Sequence, residues 1–207
     1  LGEYLKRPLT GDGALRTAVA WPDDVLPAGG PAPSSASAAS VGPIVVMTGD
    51  EPRKNTFGAL AAIGAATAGE SGPRDVVVIG MAGQDDRVHH WSIAAAMRPG
   101  EAVTASRLSD DEMGSLLASA SLVVVSSFDE GLSLPVIEAV RAGAPVVASD
   151  IPAHRELIGS GSFLADPGRP HSLERAIRRH RGRAATARRP AAALARQMDA
   201  QDRPLAL

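Results

Sequence analysis

The stretch Leu122-Val-Val-Val125-Ser-Ser127-Phe-Asp-Glu130-Gly-Leu-Ser-Leu-Pro135-Val-Ile-Glu138-Ala-Val-Arg-Ala-Gly143-Ala-Pro-Val-Val-Ala-Ser149 sets two carboxylates eight residues apart across a strand-to-helix turn. Leu122 to Val125 is short, apolar and β-branched, which reads as a strand buried on both faces. A helix follows the turn. Pro135 suits its first position, where a missing N–H costs nothing, and Gly143 suits the residue just past its end, where positive φ is cheap. The helix is therefore expected from about Leu134 to Ala142. Glu130 then lies in the loop beyond the strand, and Glu138 sits about one turn into the helix, able to look over the same crevice. Between them the backbone N–H groups of Gly131 to Leu134 open the helix, and its positive end favours an anion such as a diphosphate. Two carboxylates repel phosphate, so their natural partners are hydroxyl groups. A pyranose on one side and a ribose on the other satisfy that geometry.

Residues 127–156 resemble the donor-binding core of the group-1 retaining glycosyltransferases, enzymes of the two-domain, B-type fold. The matching pattern is Glu130, seven residues, Glu138, then Ala139, Gly143, Pro145-Val-Val, Ser149 and Glu156, without a gap. The resemblance implies that Glu130 binds hydroxyls of the donor sugar and Glu138 binds the ribose. It also implies that the amides of Gly131, Leu132, Ser133 and Leu134 meet sugar and phosphate. The family usually has Gly-Phe-Gly-Leu-Pro; here Ser133 replaces the second glycine and is expected to bring a side chain close to the donor.

A second match lies upstream. Ile44-Val-Val-Met47 reads as a strand, and Thr48-Gly-Asp-Glu-Pro-Arg53-Lys54-Asn55 as a turn into a helix from Thr56 to Thr67. It is similar to the family's glycine-containing turn ending in Arg-Lys-Asn, whose lysine neutralises the nucleotide diphosphate. Lys54 takes that place, with Arg53 as helper. The Gly-Arg pair that many members carry at the strand end is replaced by Thr48-Gly49 or Gly49-Asp50. A single lysine meets the charge of a leaving diphosphate only partly, so Arg53 or a residue from elsewhere is expected to contribute.

Around these sites, Asp75 to Gly80, Ala102 to Ser106, Pro145 to Ala148 and Ser162 to Ala165 read as further strands. Ser109 and Glu112 form a capping box that starts a helix carrying Met113, Leu116, Leu117 and Ala120 at helical spacing. Near-continuous apolar strands alternating with helices predict an α/β, Rossmann-like, doubly wound parallel sheet, which the resemblance implies is one half of a B-type glycosyltransferase fold. Ligands of such sheets bind beyond the carboxyl ends of the strands, where Lys54, Ser106 and Glu130 fall. The resemblance places the nucleobase near Ser106-Arg107.

The chain has 207 residues, enough for one substantial core. Composition and pattern set a Pro/Gly/Ala/Ser-rich linker before an α/β domain at 43–181 and an Arg/Ala-rich helical tail at 182–207; the resemblance implies that 1–42 holds a remnant of a preceding domain with that linker and that 43–181 binds the nucleotide sugar. In the complete enzymes the acceptor site, and usually a histidine near the reacting sugar, come from an amino-terminal half that no residue here matches. A partner chain or that missing half is thus expected to complete the cleft. No metal or cofactor is expected, because basic residues and a helix terminus neutralise the phosphate in this family. Adjacent His89-His90 lacks supporting ligands and reads as ordinary surface. Asp150 reads equally as a helix cap or a ligand.

From Arg169 onward there are ten arginines. They read as a solvated helix face rather than a nucleic-acid site, since no aromatics interleave and the net charge is −2; peripheral membrane contact stays open. The lack of cysteine is compatible with a reducing cytoplasm, and no apolar run approaches the roughly 18 residues of a membrane span. The expected activity is transfer of a hexosyl unit from a nucleoside-diphosphate sugar, with retention, to an unassigned hydroxyl acceptor. The alternative is a non-catalytic sugar-nucleotide-binding or assembly module; a sugar-nucleotide epimerase shares the architecture but matches the motif less directly.

Overall fold

Runs of four apolar residues make three of the six strands, including the two at the centre of the sheet, because a strand covered on both faces has no position for a polar side chain. The computed structural model describes residues 42–70, 75–105, 108–158 and 164–181. The strands are β1 (Ile44–Met47), β2 (Val76–Ile79), β3 (Ala102–Ala105), β4 (Leu122–Val125), β5 (Val146–Ser149) and β6 (Leu164–Ala165). All pair in parallel, in the order β3-β2-β1-β4-β5-β6. At the centre, Val45 lies beside Val77 on one flank and Val123 on the other. The order reverses between β1 and β4, so the loops leaving these two strands diverge around a crevice at the carboxyl edge of the sheet.

Helices cover both faces. They are α1 (Thr56–Thr67), α2 (Asp85–Ala94), α3 (Asp110–Ser119), α4 (Leu134–Arg141), α5 (Pro152–Ile158) and α6 (Pro170–Arg181). Alternate residues of β1 point to opposite sides. Ile44 and Val46 join Leu60 and Ile63 of α1, Val88 of α2 and Ile177 of α6 in one core layer. Val45 and Met47 join Leu117 of α3 and Val136, Ile137 and Val140 of α4 in the other. Each such fully buried aliphatic side chain contributes about 1.5–3 kcal/mol. The sandwich therefore fixes the two central strands most firmly, and these are the strands whose ends form the crevice.

The doubly wound parallel sheet is the expected one, and β1, β4 and α1 have the expected bounds. The capping box at Ser109 and Glu112 is present, and Gly143 has φ 70° after α4. Two details differ. Pro135 is the second residue of α4 rather than the first, and α2 was not foreseen. Only Val88 and Ser92 of α2 are buried, so its sequence carries little apolar periodicity. The amino-terminal segment and linker at 1–41, the Ser106-Arg107 loop and the 182–207 tail lie outside the described residues. Among the described residues no helix is long and apolar enough to cross a membrane.

One glycine holds the central loops close. Gly80, leaving β2, has φ 94°, and a Cβ there would stand 2.0 Å from the carbonyl oxygen of Thr48, at the end of β1. Gly80→Ala is expected to lower stability by about 2 kcal/mol, since left-handed backbone alone costs an L-residue about 1–2 kcal/mol. Urea unfolding measures it. A loss below about 0.5 kcal/mol, the range of neutral surface changes, would show that the turn relaxes freely.

Candidate functional site

The loops after β1 and β4 are stitched together before any functional side chain is considered. Phe128 N–H donates to the Arg53 carbonyl at 2.7 Å. Asn55 Nδ2 donates to the Ser126 carbonyl at 3.2 Å, and Ser126 Oγ donates to the Asn55 carbonyl at 3.0 Å. A 3-10 turn at Pro52–Lys54 and Asn55 at φ 53° swing the chain into α1; asparagine tolerates that left-handed conformation better than most residues. Thr56 Oγ1 donates to the Gly49 carbonyl at 2.8 Å and tethers the start of the same loop.

This scaffold brings Arg53, Lys54 and Glu130 together. Lys54 Nζ lies 2.7 Å from Glu130 Oε1, which also accepts from Ser127 Oγ at 2.7 Å. Arg53 Nη1 reaches Glu130 Oε2 at 3.4 Å and the Asp129 carbonyl at 3.2 Å, while its Nε pairs with Glu51. The Glu130 side chain is only 6% exposed. Burial pushes its pKa up, but the hydrogen bonds from Lys54 and Ser127 and the charges of Lys54 and Arg53 outweigh burial and hold it below the ordinary range. Glu130 is thus a fixed anion. Lys54, just ahead of α1, would oppose the positive end of that helix; Glu130 is the counter-ion that holds it there.

Beside this cluster runs the turn into α4. Gly131 and Leu132 are exposed, and among the described residues the amides of Gly131, Leu132 and Ser133 donate to no protein acceptor. The fourth expected amide is engaged: Leu134 N–H turns back to the Leu132 carbonyl at 3.0 Å. Two open N–H groups, those of Gly131 and Leu132, therefore lie on exposed residues of the loop that carries Glu130, while Ser133 is buried.

Ser133 departs from expectation. Its side chain is wholly buried and points away from the crevice, with Oγ 3.0 Å from Nε2 of the equally buried His154. His154 Nδ1 lies 2.7 Å from the Ser149 carbonyl, which can only accept. Nδ1 therefore carries the proton and Nε2 accepts from Ser133. Desolvation keeps the ring neutral, lowering its pKa against the Ser149 hydrogen bond and the charge of Glu130.

Glu138 stands apart from the Lys54–Glu130 cluster. Half-buried on α4, its carboxylate meets no donor among the described residues. Burial, then the charge of Asp110 at the start of α3, push its pKa up. Ser106 lies outside the described residues. Asp150 is paired with Arg155 at 2.6 Å and is held below the ordinary range by that hydrogen bond. His89 and His90 are exposed on α2. Arg175, Arg178 and Arg179 lie on the solvated face of α6, with Arg178 paired to Glu174 at 3.0 Å.

Ser127 and His154 were not foreseen. Ser127, three residues before Glu130, has the spacing by which a serine meets a nearby carboxylate. His154 carries no local signal, because its partners lie on other elements.

The family model for glycosyl transferases group 1 matches residues 42–181. O-antigen chain mannosyltransferase B of Escherichia coli is 32% identical over 117 residues, covering 56% of this chain and 31% of that protein. The MMP alpha-(1->4)-mannosyltransferase of Mycolicibacterium hassiacum is 48% identical over 56 residues, 27% of this chain and 14% of that protein. The chain thus spans less than a third of either relative. Among solved structures, sucrose-phosphate synthase from Thermosynechococcus elongatus superposes with a TM-score of 0.66 at 21% identity, covering 77% of this chain and 41% of that one. The catalytic domain of cholesterol-alpha-glucosyltransferase from Helicobacter pylori superposes with a TM-score of 0.60 at 15% identity, covering 75% of this chain and 96% of that one. The six-stranded sheet accordingly matches the Rossmann-like domains of B-type glycosyltransferases. With the family model covering the whole described fold, this chain belongs to the group 1 glycosyltransferases.

Proposed function

We propose that the chain supplies the donor side of a retaining hexosyl transfer from a nucleoside-diphosphate sugar. The observation that carries this reading is the meeting of Lys54, Arg53 and Glu130 with the open amides of Gly131 and Leu132 at the point where the strand order reverses. The amides and the two cations suit a diphosphate, which gains negative charge as the bond from its oxygen to the anomeric carbon breaks. Glu130, kept ionised, accepts hydroxyls of the sugar, and its attachment to Lys54 sets the sugar and leaving-group sites side by side. Glu138, an anion without a donor, suits the vicinal hydroxyls of a ribose. Mannose is the sugar supported best, since both curated relatives named above are mannosyltransferases. The acceptor is bound by residues outside this crevice, on another domain or a partner chain.

Calorimetric titration of the chain with GDP-, UDP- and ADP-hexoses tests the reading. One nucleotide is expected to bind selectively. Glu138→Ala is expected to weaken nucleotide sugar and plain nucleoside diphosphate alike, by about tenfold, the worth of a charged hydrogen bond. Glu130→Ala is expected to weaken chiefly the nucleotide sugar. Equal losses for both ligands in both variants would refute this division. A folded chain that binds none of the three would support the module reading instead.

A further inference from the structure

Ser133 occupies the residue before α4, where a serine ordinarily turns its oxygen to the third helical amide. It makes no such cap. The second helical residue is Pro135, which has no N–H, and Val136 N–H is already taken by the Ser133 carbonyl at 3.1 Å. The hydroxyl belongs to a wholly buried residue, so leaving it without a partner would be costly. His154 Nε2, locked as an acceptor by the Nδ1 bond to Ser149, provides that partner.

We propose that His154 is a positioning residue for the donor diphosphate, acting through Ser133; this rests on the donor-site reading above. Ser149 ends β5, so the imidazole spans from the sheet edge to the start of α4 and pulls Ser133 from behind. The amide edge of Gly131 and Leu132, both exposed, is thereby left open to the crevice. A serine hydroxyl released from His154 accepts instead from nearby backbone N–H groups and closes the anion site from within. His154 thus keeps open the donors that the diphosphate needs. The hydroxyl alone creates this requirement, so removing it removes the need for His154.

The test uses the full chain with the nucleotide hexose that wild type binds best, titrated calorimetrically, and with the corresponding nucleoside, followed by ligand-observed NMR. His154→Phe is expected to weaken the nucleotide hexose by about tenfold, as for loss of a hydrogen bond to a charged group, and to leave the nucleoside unchanged. His154→Phe with Ser133→Gly is expected to regain affinity to within about twofold, a coupling that a cycle of single and double variants isolates. His154→Gln keeps an acceptor and a donor and is expected to bind nearly as wild type does, and it carries the test if the phenylalanine variant does not fold. Unchanged nucleotide-hexose affinity in His154→Phe, equal losses for nucleotide and nucleoside, no recovery in the double variant, or a tenfold loss in His154→Gln would each overturn the inference. If wild type binds no nucleotide hexose, the donor-site reading fails and takes this inference with it.

Discussion

Lys54→Ala is expected to destabilise the chain by about 3 kcal/mol, at the lower end of the cost of stranding one member of a buried ion pair. The carboxylate it leaves behind is nearly inaccessible, with a side chain 6% exposed. Oε1 would retain only the Ser127 hydroxyl, and Oε2 only the 3.4 Å contact to Arg53, itself drawn outward by Glu51. Lys54 is 16% exposed and sits at the rim, so water entering the space it vacates keeps the loss from being larger. Lys54→Ala with Glu130→Gln is expected to recover more than half the loss, because no buried charge is then left unpaired. The same single substitution removes a full positive charge from beside the open amides, and nucleotide-sugar binding should fall below detection by calorimetry. Urea unfolding and titration of the three variants decide the matter. A Lys54→Ala chain as stable as wild type would show that Glu130 is solvated in solution; a double variant no more stable than the single would trace the loss to the lysine stem.

The β1 and β4 strands and their loops were legible in the sequence because each signal there is local. Four apolar residues, a turn, and a helix-starting residue follow one another, and the periodicity needs no knowledge of neighbours. Lys54 and Glu130 were identified on separate motifs, yet their 2.7 Å contact is set by strand order, which joins residues 76 positions apart. Ser133 shows the limit most clearly. Its identity suggested a side chain at the ligand, whereas its orientation is decided by His154, 21 positions away on α5. Helix α2 escaped notice for the opposite reason: it rests on the sheet through so few buried residues that its sequence looks like a loop.

The pairing also bears on how the crevice is kept ready. Without Glu130, Lys54 would be a half-buried cation against the positive end of α1. With it, and with Glu51 on Arg53, the two cations are balanced by two carboxylates, so the loops do not repel one another when no diphosphate is bound. Glu138 has the converse character, an anion beside Asp110 that burial disfavours. Hydroxyl donors would relieve it.

Acidification separates these groups by the sign of their effect on stability. His154 is wholly buried and its pKa is lowered from 6.5. Between its folded value and 6.5 the unfolded chain takes up a proton that the native chain refuses, so stability must fall as pH drops below 6.5. One proton gives a slope of at most about 1.4 kcal/mol per pH unit, and the loss levels off below the folded value. Glu138 acts in the opposite direction, since its pKa is raised from 4.5; the native chain is protonated first and gains stability as pH falls toward 4.5. Glu130, lowered from 4.5, contributes stability above that value and loses it only as pH falls through its depressed folded pKa. Urea midpoints of wild type between pH 7.5 and 3 are therefore expected to fall first just below 6.5, and again below 4.5. His154→Gln should abolish the first fall and leave the second in place, and Glu130→Gln should shrink the second alone. An unchanged loss below pH 6.5 in His154→Gln would place the acid-sensitive group elsewhere and would mean that the imidazole takes up its proton in the native chain as readily as in the unfolded one.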